Sequence, residues 1–227
     1  MSKEAIIQKP EARSPGRGLF ITLEGVEGCG KTTQAARLKR YLEERNIPVL
    51  LTREPGGTAV GEKIRKILID PENKDLLPLT EVLLFSAARH QHVMEVIRPA
   101  LERGFVVLSD RFYDATLAYQ GFGRGIEKTT LKALTRLATG GLKPDLTLIL
   151  DLDPQEGFKR LLKSRPFADR IEKETLEFFL RVREGYLAIA SREKKRCRVF
   201  DASAEEETLH RKIAGVVMSR WSRLKKG

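Results

Sequence analysis

The chain has 227 residues, enough for one α/β domain to bury a sizeable core without covalent staples. Its 41% hydrophobic and 32% charged residues are those of an ordinary globular protein, and a formal net charge of +11 implies anionic partners without saying which. No stretch approaches the roughly 18 apolar residues of a membrane span, and the opening MSKEAIIQKPEARSPGRG lacks the apolar run of a secretion signal. The two cysteines, Cys29 and Cys197, make neither a disulfide framework nor a metal set, which fits a reducing, cytoplasmic setting.

Residues 1–17 read as a flexible extension and 18–227 as a single domain. Within it, short apolar runs alternate with stretches of helical period, the pattern of a parallel sheet wrapped by helices. The first strand spans Leu19 to Glu24 and a helix begins near Lys31. Between them lies Gly25-Val26-Glu27-Gly28-Cys29-Gly30-Lys31-Thr32, which matches G-x-x-x-x-G-K-[ST] in the strand–loop–helix setting a P-loop requires. The glycines let backbone N–H groups curl round nucleotide phosphates, and the helix adds the positive end of its dipole. Lys31 is positioned for the β/γ-phosphates and Thr32, with Thr33 beside it, for the phosphates and Mg²⁺. Such a loop serves GTPases, motors, translocases and small-molecule kinases alike. Asn73-Lys74-Asp75 has the wrong spacing to read guanine, and the chain is short for a helicase, which leaves small-molecule phosphoryl transfer ahead.

The second strand, Val49 to Thr52, runs into Arg53-Glu54-Pro55-Gly56-Gly57-Thr58. A helix from near Thr80 carries Leu83-Leu84-Phe85-Ser86-Ala87-Ala88-Arg89-His90-Gln91-His92. The third strand, Phe105 to Ser109, is followed by Asp110-Arg111-Phe112 and then Ala118-Tyr119-Gln120-Gly121. Arg53 and Arg111 lie just past strand C-termini, the edge where open α/β sheets hold ligands, so their guanidinium forks can grip a monophosphate. Asp110 ends an apolar strand as a Walker B acid does, suited to orient Mg²⁺ through water.

A helix from Lys128 precedes the fourth strand, Leu146 to Asp151, and another starts at Pro154. The segment 164–170, Ser164-Arg165-Pro166-Phe167-Ala168-Asp169-Arg170, reads as a short mobile lid. From Arg170 a helix carries Ile171, Phe178, Phe179, Val182, Tyr186 and Ile189 mainly at spacings of three, four and seven. The fifth strand, Arg198 to Phe200, leads into Asp201-Ala202-Ser203 and a last helix from near Ala204. From Arg192 onward there are 11 Lys or Arg against 5 Asp or Glu, without interleaved aromatics, which reads as a solvated face more readily than as a nucleic-acid patch.

Over Phe20 to about Ser203, four motifs in order behind a P-loop make the chain resemble the thymidylate kinase (dTMP kinase) family. The resemblance implies a P-loop nucleoside monophosphate kinase fold, with a five-stranded parallel sheet, a short lid and a homodimer. It implies transfer of the γ-phosphate of ATP, with Mg²⁺, to dTMP. Arg53 and Arg111 then hold the dTMP phosphate, Phe85 stacks on thymine, and Arg89 donates to a thymine carbonyl, with Thr116 and Gln120 near the base. Tyr119 crowds the sugar 2′ position, and Glu27 contacts the 3′-hydroxyl or the metal. Some members carry an Arg inside the P-loop; here Gly28 stands there, which resembles the bacterial form that supplies Arg165 and Arg170 from the lid. Catalysis then falls to Lys31, Arg165, Glu27 and Arg111, and adenine lies against the lid and Asp201-Ala202. Ala88 and Ala115 depart from the family's usual Asp and Ser. A kinase of another small acceptor and a nucleic-acid-stimulated P-loop ATPase are the competing readings.

Overall fold

Five parallel strands form one sheet in the order β2-β3-β1-β4-β5. They belong to a computed structural model that describes residues 17–164 and 169–225. The centre is β1 (Leu19–Glu24), buried at every position, as a parallel strand covered on both faces must be. Its side chains divide between two cores. Leu19, Ile21 and Leu23 join the larger one, while Phe20 packs edge-on against Phe112 (ring centroids 4.9 Å apart) beside Val93, Ile97 and Val107.

Helix α1 (Lys31–Glu43) connects β1 to β2 (Val49–Arg53) and buries Ala35, Leu38 and Leu42. Then comes α2 (Ala59–Ile69), a helix the sequence reading leaves as loop; Thr58 caps it by accepting the Gly61 N–H at 2.9 Å. α3 (Pro78–His92) starts two residues before the expected Thr80, with Pro78 in its first turn. It runs on through a π-helical stretch (Val93–Ile97) into α4 (Arg98–Glu102). β3 (Val106–Asp110) follows, then α5 (Tyr113–Thr116), which continues as a π-helical stretch over Leu117–Gly123, and α6 (Lys128–Thr139).

The last third holds β4 (Leu146–Asp151), α7 (Pro154–Ser164), α8 (Leu176–Arg192), β5 (Cys197–Asp201) and α9 (Glu206–Leu224). α8 begins at Leu176 rather than Arg170, because Thr175 accepts the Phe178 N–H and sets the cap there. Its apolar face is the one the spacing predicts: Phe178, Phe179, Val182, Tyr186 and Ile189 are all buried.

The register brings the functional segments to one edge. Leu23 and Arg53 flank Asp110 on either side, so the P-loop, the Arg53–Gly57 segment and the Asp110–Arg111 corner emerge together at the carboxyl ends of neighbouring strands. Among the described residues no helix is long and apolar enough to cross a membrane.

Candidate active site

Three glycines with left-handed backbone, Gly25 (φ +140°), Gly28 (+70°) and Gly30 (+89°), fold the loop between β1 and α1. No side chain caps α1, so its first amides face the loop rather than a cap. Lys31 folds back over this loop: its Nζ donates to the carbonyls of Val26 (2.8 Å) and Gly25 (3.0 Å) and lies 3.5 Å from Cys29 Sγ. Val26 and Cys29 point into the core, and Thr32 and Thr33 are exposed at the start of α1. At Gly28 a Cβ would fall 2.2 Å from the carbonyl oxygen of Gly157 in α7. A side chain there would require the two backbones to move apart.

The Thr32 hydroxyl donates to Asp110 Oδ2 at 2.6 Å, joining the two residues expected to serve the metal. A hydroxyl and a carboxylate are hard oxygen donors that suit Mg²⁺, which is typically held by one or two protein groups and by substrate phosphates. Among the described residues no set of three or more His, Cys, Asp or Glu offers an all-protein cage.

Next to the loop opens a cleft lined by Glu27, Arg65, Phe85, Arg89, Arg111, Thr116, Tyr119 and Gln120. At its inner end Arg111, itself at φ +73°, donates to Glu27 Oε1 (2.7 Å) and Tyr119 Oη (3.0 Å) through Nη2. Through Nη1 it donates to the Gly25 carbonyl and Tyr186 Oη, both at 3.0 Å. Tyr119 donates in turn to Glu27 Oε2 at 2.6 Å. Burial opposes the Arg111 charge, but Tyr119, Glu27 and further acidic neighbours outweigh it and hold its pKa well above the ordinary value. Burial likewise pushes the Tyr119 hydroxyl well up, so that it stays a donor.

The outer wall carries the residues expected at the base. Arg89 is buried, with Nε on Glu54 Oε2 (2.7 Å), Nη1 on Thr116 Oγ1 (3.0 Å) and Nη2 on the Phe112 carbonyl (3.3 Å). Glu54 also meets His92 Nδ1 at 3.0 Å, while His92 Nε2 meets Thr52 Oγ1 at 2.7 Å; this histidine is part of the wall. Gln120 donates to Glu81 Oε1 at 2.8 Å.

Two expected residues sit elsewhere. Arg53 does not line the cleft: its side chain is 55% exposed and paired to Glu62 at 3.0 Å. In its place stands Arg65 from α2, donating to the Pro55 carbonyl at 2.9 Å. Burial and the neighbouring Arg53 depress its pKa, as happens where cations gather without enough anions. The sequence reading missed Arg65 because it missed α2; the Thr58 cap was the available signal. Arg170 is not joined to the nucleotide loop. It is tied to Glu81 and Leu68, with Nη2 on Glu81 Oε2 (2.6 Å) and Nε on the Leu68 carbonyl (2.8 Å). Arg165 lies outside the described residues. On the far side of the P-loop, Asp201 Oδ1 accepts the Ser203 N–H, and the carbonyl of buried Ala202 accepts Arg160 Nη1 at 3.1 Å, a cation the sequence reading did not single out.

The family model for thymidylate kinase matches residues 23–213, most of the chain. The chain belongs to the thymidylate kinase family. It is 53% identical to the thymidylate kinase of Pelotomaculum thermopropionicum over 194 residues, covering 86% of this chain and 90% of that one. With the thymidylate kinase of Deinococcus radiodurans it shares 50% identity over 204 residues, 90% and 98% of the two chains. The crystal structure of thymidylate kinase from Ehrlichia chaffeensis superposes with a TM-score of 0.72 at 36% identity, over 88% of this chain and 99% of that one. The P-loop, the Asp110–Arg111 corner and the adjoining cleft all fall inside the matched region.

Proposed function

We propose that this protein transfers the γ-phosphoryl group of ATP to the 5′-phosphate of dTMP, giving dTDP and ADP and so feeding dTTP synthesis. The observation that carries the reading is the triangle of Glu27, Arg111 and Tyr119. Glu27 belongs to the P-loop, whereas Arg111 and Tyr119 line the acceptor cleft, so donor and acceptor sites share one hydrogen-bonded cluster.

In this reading Lys31 leaves the Gly25 and Val26 carbonyls for the β/γ-phosphates, replacing two neutral acceptors with anionic ones. Arg111 and Arg65 hold the dTMP phosphate, with Arg53 free to swing in from Glu62. Phe85 stacks on thymine, and Arg89, held by Glu54, presents its remaining donors to a base carbonyl beside Thr116 and Gln120. Tyr119 limits the space at the sugar's 2′ position, and Glu27 receives the 3′-hydroxyl. Thr32 and Asp110 are the residues that would hold Mg²⁺, which when bound neutralises charge on the phosphate oxygens. With a glycine at position 28, Arg165 meets the transition-state charge; the support is its place in the sequence between α7 and Asp169. Arg170 braces the acceptor wall through Glu81, and Asp201-Ala202 supports the adenine. A homodimer is supported by the exposed apolar residues Val60 and Ile67 on α2 and Leu79 and Leu83 on α3.

The test is the fate of label from [γ-³²P]ATP incubated with dTMP. Appearance of labelled dTDP bears the reading out; label found only in inorganic phosphate overturns it.

A further inference from the structure

Glu24 closes β1 immediately before the P-loop and is completely buried, yet it takes no part in the substrate contacts above. Its Oε1 accepts the backbone N–H of Phe112 at 2.8 Å and its Oε2 accepts the hydroxyl of Tyr186, from α8, at 2.9 Å. Tyr186 Oη in turn accepts Nη1 of Arg111 at 3.0 Å. Arg111 is thereby gripped twice. The amide that Glu24 anchors is that of the next residue, and the guanidinium leans on the hydroxyl that Glu24 orients. A left-handed arginine persists only where its surroundings over-determine it, and this brace is such a surrounding.

We propose that Glu24 and Tyr186 are positioning residues for Arg111, holding its guanidinium fork toward the acceptor phosphate. The inference rests on Arg111 being the residue that grips that phosphate.

The protonation of the brace follows from what surrounds it. Glu24 faces Asp114 from α5, Arg111 from the end of β3, Tyr186 from α8 and Cys197 from β5. Burial first, and Asp114 second, push the Glu24 carboxyl up to about 8. Asp114 is itself paired with Arg196, whose Nη1 and Nη2 reach its two oxygens at 2.6 and 2.8 Å. At pH 7 Glu24 is mostly neutral and supports Arg111 without competing for it. As the pH rises through about 8 its new charge draws on the guanidinium and competes with the acceptor phosphate.

The experiment measures dTMP and ATP kinetics for Tyr186→Phe, Glu24→Gln and the double variant. Tyr186→Phe keeps the ring and removes the hydroxyl; its KM for dTMP should rise roughly tenfold, with KM for ATP within about twofold of the parent and the melting temperature little changed. Between pH 7 and 9 kcat/KM for dTMP should fall several-fold in the parent and stay flat in Glu24→Gln. The double variant should be no worse than the worse single one, because both act through one guanidinium. Parental dTMP kinetics in Tyr186→Phe, or equal loss toward both substrates, overturns the inference, as does an alkaline fall retained in Glu24→Gln. A parent enzyme inactive on dTMP would instead defeat the functional reading itself.

Discussion

Gly28 of the P-loop and Gly157 of α7 meet backbone to backbone: a Cβ on the first would lie 2.2 Å from the Gly157 carbonyl oxygen, and a Cβ on the second 2.4 Å from that of Glu27. Helix α7 therefore supports the underside of the phosphate loop, and the loop's shape depends on a glycine outside its own motif.

Gly157→Ala is the cleaner test, because Gly157 is not among the residues with positive φ and an alanine there meets only a steric obstacle. The added methyl should push the Glu27 segment out of place. Steady-state kinetics should show kcat/KM for ATP lowered by about 10²-fold, and melting should show about 1–3 kcal/mol of lost stability, as overpacking generally costs.

Lys31→Ala should leave the fold intact and lower kcat by roughly 10² to 10³, the usual cost of losing one electrostatic donor to the transferring group. Its Nζ bonds the Gly25 and Val26 carbonyls and the Cys29 thiol, all within the loop itself. A folded variant retaining most of its activity in the ADP-release assay would remove Lys31 from the chemistry.

Arg65→Ala should raise KM for dTMP more than Arg53→Ala does. Arg65 lines the cleft, whereas Arg53 must first leave Glu62 and cross from a largely exposed position. Comparing the two variants by dTMP titration checks this, and a larger effect at Arg53 would mean that the residues exchange places when substrate binds.

Burial and Asp114 raise Glu24 from its usual 4.5 to about 8, so the folded protein holds a proton that the unfolded chain has released between those values. A raised carboxylate pKa means stability that is present at low pH and lost as the pH climbs. The stability of the parent relative to Glu24→Gln should fall between about pH 5 and 8 and level off above, as measured by urea unfolding across that range. A constant difference would show that Glu24 is ionised in the folded state.

Much of this was legible in the sequence because it is written in local pattern. The five strands are short apolar runs, and β1 and β4 have the bounds their composition predicts. The P-loop is spelled out by glycines whose left-handed backbone the motif demands. α2 was hidden because the glycines before it suggest loop, while the Thr58 cap that starts it is one hydroxyl; Arg65 was lost with it. Arg170 stands beside Arg165 in sequence, whereas its partner Glu81 is 89 positions away. Glu24, Tyr186 and the pairing of Gly28 with Gly157 are likewise tertiary facts, which no spacing along one element reveals.

The most direct measurement is of kcat/KM for ADP release across a panel of acceptors, dTMP, ribo-TMP, dUMP, dCMP, dGMP and dAMP, at saturating ATP with Mg²⁺. The Phe85–Arg89 wall, with Thr116 and Gln120 beside it and Tyr119 against the sugar, predicts dTMP as the best acceptor, and ribo-TMP as a clearly poorer one. A purine monophosphate turned over as well as dTMP, or ATP hydrolysis indifferent to every acceptor, would contradict the assignment.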